Sequence, residues 1–353
     1  MSDSQRLFII GDCHWNTASR AVGAKMAGWE VLWSIPSWTN ELPVWRRVLQ
    51  YRFRDGPDIY KYNRSVVTGA IQAKPNVVWV EDPMFLYVST LRTIREKIGA
   101  TLVCAYSDDP RDPAKKSRHF DQAVSTYDVI FTTKDELLQR YFDAGCHCPA
   151  KFWKGYDPER IRPVNLTTAD LENYQSAVTF IGHVDFVHGH ATRLAPLASV
   201  ARAVPGTKIW GCSWRHVKWP NDLPNIIRPH QIDGLEYSKA ICAAKLTIQI
   251  PSRLARDTHS SRSVEIPACG TMMLAERTTD HQILFEEDKE AVFFGSVSEL
   301  VDKAKYYVAY EKEREKIAKA GYERCLRSGY SNYERMKQML GLVQKVRDRN
   351  WIG

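Results

Sequence analysis

Short apolar runs alternate with helix-period stretches along the first half of the chain. Leu7-Phe8-Ile9-Ile10 runs into Gly11, Thr17 to Ala27 carries a helical spacing, and Trp29 to Trp33 is apolar again. Asn76 to Val80, Thr101 to Tyr106 and Asp128 to Phe131 repeat the motif, each closed by polar or turn residues. Strands without a polar face that alternate with helices predict βαβ units and a parallel sheet. A second series starts at Ala177 to Ile181 and continues through Thr207 to Trp210, Ile226-Ile227, Lys245 to Ile250, Thr271 to Leu274 and Ala291 to Phe294. Between the two series, Ala144 to Asp170 loses its periodicity and is expected to be a linker. Val297 to Asp348 is helical in pattern almost throughout.

The chain has 353 residues, more than one hydrophobic core usually organises, which fits two α/β domains. We place the first at 1–155, the second at 156–330, and a closing helix at 331–353 that packs back on the first. A hydrophobic fraction of 44% with 25% charged residues excludes collagen-like and disordered classes. No apolar stretch reaches the ~20 residues of a membrane span, and the start, Met1 to Arg6, lacks a signal-peptide core. A cytoplasmic protein is expected. The eight cysteines show no paired C-x-x-C, and Cys146-His147-Cys148 alone is a poor zinc site, so no metal is expected.

In open α/β sheets, ligands gather beyond the carboxyl ends of the strands. Gly11-Asp12-Cys13-His14 sits at such a tip, with Gly11 allowing close backbone approach, Asp12 projecting outward, and His14 able to act as a base. Asp108 and Asp109 form a second acidic tip. Trp38 to Arg64 is rich in rings and cations, among them Trp38, Arg46, Arg52, Arg54 and Lys61, which suits an acceptor platform. In the second half, Ser261 or Ser260 is placed to cap a helix carrying Glu265 in its first turn, a position from which a carboxylate can take both hydroxyls of a ribose.

Several segments give the chain a resemblance. Phe180-Ile181-Gly182 followed by Arg193, Ile209-Trp210-Gly211, Ser261 to Gly270, Leu284-Phe285 with Glu290, Ser298-Glu299-Leu300 and Arg314 to Gly321 resemble the CgeB-type (spore maturation protein) glycosyltransferase-like family, related to the family-4 retaining glycosyltransferases. The resemblance covers about the last 170 residues. It implies the GT-B architecture, two Rossmann-like domains facing across a cleft, with a nucleoside-diphosphate sugar held by the second and the acceptor seen by the first. It also implies that Glu265 binds the donor ribose and that Asp257, eight residues earlier and in place of the family's Glu, faces the sugar. Arg193 matches the family's phosphate-facing arginine.

Around that motif, Arg262 and Lys245 are further cations for the diphosphate, and Gly182 and Trp210 line the donor loops, Trp210 as a candidate for stacking on the base. No Asp-x-Asp metal motif stands in a convincing setting, which favours chemistry resting on these cations. A net charge of +8 suits an anionic acceptor such as a cell-surface glycan. Two alternatives stay open at this point: a glycosyltransferase that modifies a base in nucleic acid, and a catalytically silent GT-B-shaped binding protein.

Overall fold

The structure is a computed structural model, and residues 5–11, 15–34, 42–187, 190–223 and 226–348 are described. Asp12, His14 and Trp38 lie outside these residues. The chain divides into two compact units, 1–153 together with 332–353, and 154–331. The boundary falls two residues before the expected 155/156, and the closing helix begins at Asn332.

In the first unit β1 (Arg6–Ile10), β2 (Glu30–Ser34), β3 (Val77–Val80), β4 (Thr101–Ala105), β5 (Val129–Thr132) and β6 (Cys148–Lys151) form a sheet in the order β2-β1-β3-β4-β5-β6, every described pairing parallel. Alternate residues feed two cores, as the two-residue side-chain period requires. Phe8, Ile10, Val78, Val80, Leu102 and Cys104 face helices Pro57–Ala73 and Val88–Ile98. Leu7, Ile9, Val77, Trp79, Val103 and Phe131 face helix Trp15–Met26 and the closing helix Asn332–Asp348, which contributes Met336, Leu340 and Val343. The C-terminal segment is thus part of the first unit's core, and Asn332 Nδ2 donates to Asn16 Oδ1 at 3.1 Å.

Strand β6 corrects the expectation of a linker from Ala144. It is a four-residue edge strand, half-buried throughout and carrying Pro149, so neither an apolar run nor an alternation marks it. Within Cys146-His147-Cys148, Cys146 joins the core and Cys148 starts this strand. Among the described residues no group of three or more His, Cys, Asp or Glu side chains is placed to hold a metal ion.

In the second unit β7 (Ser176–Ile181) is followed by a small antiparallel pair, β8 (Phe186–Val187) and β9 (His190–Ala191), and then by β10 (Thr207–Trp210), β11 (Ile227–Arg228), β12 (Ala244–Gln249), β13 (Met272–Glu276) and β14 (Val292–Phe294). The described sheet runs β11-β10-β7-β12-β13-β14, all parallel. Taken in chain order without the small pair, this is 3-2-1-4-5-6, the doubly wound order of dinucleotide-binding folds. The order reverses between β7 and β12, which makes their carboxyl ends the topological switch point of this unit. In the first unit the switch point lies between β1 and β3.

No helix among the described residues is long and apolar enough to cross a membrane.

Candidate active site

The switch point of the second unit is built by glycine. Gly182 follows β7, and Gly211 follows β10 with φ +146°, a conformation that favours glycine. A Cβ on Gly211 would stand 2.3 Å from the Gly182 carbonyl oxygen. Trp214 Nε1 donates to that same carbonyl at 2.7 Å and fixes the crossing.

Arg193 spans the point of reversal. One terminal nitrogen donates to the carbonyl of His183 after β7 at 2.8 Å, the other to that of Ile250 after β12 at 2.7 Å. Its guanidinium lies over Phe180, and burial lowers its pKa to about 10. This changes the expectation of a diphosphate contact: both terminal nitrogens are spent on tying two loops together. The side chain is buried because the loops converge there.

The loop after β12, residues 250–261, is held at both ends. At its start the buried Asp185 carboxylate accepts from Ser252 Oγ at 3.1 Å and from the Arg253 backbone N–H at 2.7 Å. At its end buried Asp280 accepts from His259 Nδ1 at 2.7 Å and from the Thr258 hydroxyl. His259 Nε2 accepts the Lys154 backbone N–H at 3.2 Å, which assigns the ring proton to Nδ1. A parallel chain lies beneath. His281 donates from Nδ1 to the Glu276 carbonyl at 2.6 Å, and its Nε2 faces the Ser263 hydroxyl at 2.9 Å. Burial pushes His281 down to about 4, so it is neutral in the fold. Between the two anchors stands Asp257, whose carboxylate is 4.0 Å from Lys154 Nζ.

Helix Arg262–Ala268 follows this loop and carries Arg262 and Glu265 on successive turns. Ser261 makes no side-chain cap and is itself helical in φ and ψ; the Ser263 hydroxyl instead accepts the Ser260 N–H at 3.0 Å. The expected cap is therefore absent, because Ser260 and Ser263 close the turn between them. Glu265 Oε2 accepts from Tyr237 Oη at 2.7 Å. Burial raises the Glu265 pKa above the usual carboxylate range, against the pull of Arg262, Tyr237 and Lys154. The Arg262 guanidinium carbon lies 3.7 Å from where a Gly182 Cβ would be, and its Nε is buried without a hydrogen-bond partner among the described residues. His183 beside it has Nδ1 3.3 Å from Ser213 Oγ; partial desolvation and then Arg262 and Arg193 lower its pKa.

The structure thus brings Gly182, Arg193, Arg262, Glu265 and Asp257 together at the carboxyl ends of β7 and β12. It does not bring Lys245 there. Lys245 is exposed near the amino end of β12, at the opposite edge of the sheet from the site. Trp210 is also displaced from its expected role: it is buried, with its ring against Tyr174 and His230, and it presents no face to a base. Tyr237, His183 and Lys154 went unread in the sequence. His183 had a signal in following Gly182; Tyr237 sits in an ordinary helical pattern and had none.

Among the described residues, the charges at the rim of the first unit pair with one another. Gly11 (φ +151°) packs where a Cβ would lie 2.8 Å from that of Glu81. Glu81 forms a bidentate pair with Arg20 at 3.0 and 2.6 Å and accepts from Trp79 Nε1 at 2.9 Å. Gly11 therefore makes room for the backbone and Cβ of Glu81. Asp109 is buried in a bidentate pair with Arg111, which also reaches Glu136, and so acts as a turn anchor instead of a base. Asp108 pairs with Lys115 at 2.7 Å. Arg46 is tied to Asp58 at 3.0 Å, and the buried Arg54 donates to the Ala114 carbonyl, which withdraws both from an acceptor platform. Arg52 and Lys61 are exposed.

Residues 193–341 match a family model described as glycosyl transferase-like. No curated protein matches the chain. Among solved structures, the sucrose-phosphate synthase of Thermosynechococcus elongatus is similar with TM-score 0.66 and 11% identity over 98% of this chain and 100% of its own. HepE of Anabaena, in complex with UDP-glucose, is similar with TM-score 0.63 and 11% identity over 96% and 99%. The α,α-trehalose 6-phosphate synthase of Burkholderia multivorans is similar with TM-score 0.66 and 13% identity over 98% and 99%. The fold is that of GT-B glycosyltransferases, with two parallel-sheet Rossmann-like units. The family match and the fold are thus both of glycosyltransferase-like kind.

Proposed function

We propose that this chain moves a sugar from a nucleoside-diphosphate sugar to an acceptor hydroxyl, with the donor bound at the switch point of residues 154–331. The observation that supports this most is the pair on helix Arg262–Ala268: an arginine whose buried Nε has no partner among the described residues, and one turn on a half-buried carboxylate held by a tyrosine. A buried donor atom left without a partner is costly, and a diphosphate oxygen would satisfy it. Glu265 then takes the ribose hydroxyls, Arg262 the diphosphate, and Asp257, steadied by Lys154, the sugar. Arg193 shapes the site by holding the loops after β7 and β12.

The reaction is retaining in this reading, following the family-4 resemblance. The bond from the anomeric carbon to the diphosphate oxygen breaks, the acceptor oxygen bonds to that carbon on the same face, and the acceptor proton passes to the departing diphosphate. Arg262 stabilises the charge that builds on the leaving group, and no side-chain base is required. The acceptor is an anionic molecule such as a cell-surface glycan, in keeping with the net charge of +8.

Because the similar Anabaena protein was solved with UDP-glucose, UDP and UDP-glucose are the first ligands to titrate calorimetrically. Arg262→Ala is expected to weaken UDP binding by about 2 kcal/mol, the scale of a charge-assisted hydrogen bond. Equal affinity in the variant would remove the donor site from this position. The anomeric configuration of the product, read by NMR, tests retention separately.

A further inference from the structure

Helix Val44–Phe53 faces the wrong way for a surface helix in water. Trp45, Val48, Leu49 and Phe53 are 65%, 59%, 48% and 65% exposed, and their spacing puts them on one stripe. The side turned to the protein is polar: Gln50 is buried and bonds to Asp58, and Arg46 forms an ion pair with the same carboxylate. These bonds stop the helix from rolling to hide its apolar residues. An exposed apolar stripe of this kind marks a surface that something covers.

The charge around the stripe identifies the cover. The helix contains no acidic residue, Arg52 is exposed within the stripe, and Lys61 and Arg64 are exposed on the helix that follows. A second copy would bring its own Arg52, Lys61 and Arg64 and the same charge of +8 to the contact, with no acidic residue on the helix to meet them. Nucleic acid would pair with the arginine but leave Val48 and Leu49 without an apolar partner. An anionic bilayer surface satisfies both demands. Its acyl boundary takes the apolar side chains, its headgroups take the cations, and Arg52 reaches the phosphates on its long stem.

We propose that helix Val44–Phe53 lies in the interface of an anionic membrane and holds the first unit against it. This goes beyond the donor reading and does not depend on it. The test is co-sedimentation of the full chain with vesicles of phosphatidylcholine alone or with about 30% phosphatidylglycerol, at about 0.05 and 0.5 M salt. Binding to the anionic vesicles that weakens with salt is expected. The double variant Trp45→Asp, Phe53→Asp is expected to lower partitioning at least about a hundredfold and Arg52→Glu about tenfold. Since these side chains are exposed, the variants should melt with the wild type; Trp45→Phe should keep binding and thereby separates a lost contact from a lost fold. The proposal is overturned by failure to bind anionic vesicles or by wild-type partitioning of the double variant. A dimer that Trp45→Asp dissolves, or DNA binding lost in the double variant while vesicles stay unbound, would overturn it too.

Discussion

The two units share a six-stranded parallel architecture but differ in how the described charges near their switch points are paired. In the first, Glu81 packs its Cβ against Gly11 while Arg20 and Trp79 match its carboxylate, and Asp109 is matched by Arg111. In the second, among the described residues, a tyrosine holds Glu265 and the buried Arg262 Nε has no hydrogen-bond partner. A rim whose charges are paired internally is part of the scaffold. One whose loops are anchored by Asp185, Asp280 and Arg193 around the Arg262 Nε fits the donor site proposed above.

The largest effect that would break this comparison is expected at Glu81. Glu81→Ala leaves the half-buried Arg20 without its carboxylate and should destabilise the first unit by about 3 kcal/mol, without altering UDP affinity; denaturant unfolding and calorimetry read the two. Loss of UDP binding on a stable background would show that this rim is a site after all.

The next effect concerns acid. His281 is neutral in the fold because burial pushes it to about 4, whereas in the unfolded chain it binds a proton near 6.5. The unfolded state therefore takes up the proton first as pH falls. The stabilisation is whole above pH of about 6.5 and shrinks toward pH 4, a loss of about 3 kcal/mol. Melting scans across this window should show the loss, and His281→Gln should flatten it. An unchanged slope in the variant would place the acid sensitivity elsewhere.

The smallest effect sharpens the contrast within one side chain. Burial raises the Glu265 pKa, so its stabilising share belongs to the protonated form and is lost as pH rises through the folded value. Glu265→Gln should thus raise the melting temperature at neutral pH while weakening UDP-glucose about tenfold, since an amide accepts less strongly than a carboxylate. In the wild type, donor affinity should fall as pH drops through that raised pKa. A variant that loses stability and binds normally would make Glu265 a structural residue.

The apolar runs foretold the strands well because buried parallel strands need little more than an apolar core of suitable length. Thr207 to Trp210 matched to the residue, while β6, half-buried at an edge, left no such mark. For the site the sequence supplied residue types but not their direction. Lys245 and Arg262 flank the same motif, yet one lies at the amino edge of β12 and the other beside Gly182. Trp210 and Trp214 look alike in sequence with Gly211-Cys212-Ser213 between them, and both are buried.

By itself, then, the sequence determined two parallel α/β units, a closing helix, and a set of cations and carboxylates near Gly182 and Glu265, because hydrophobic period and turn chemistry are local properties. Which of those charges are satisfied was decided only by the tertiary structure. Arg193 and Glu81 find their partners 57 and 61 residues away in sequence, and a charge's freedom to meet a ligand depends on neighbours that only the folded chain assembles.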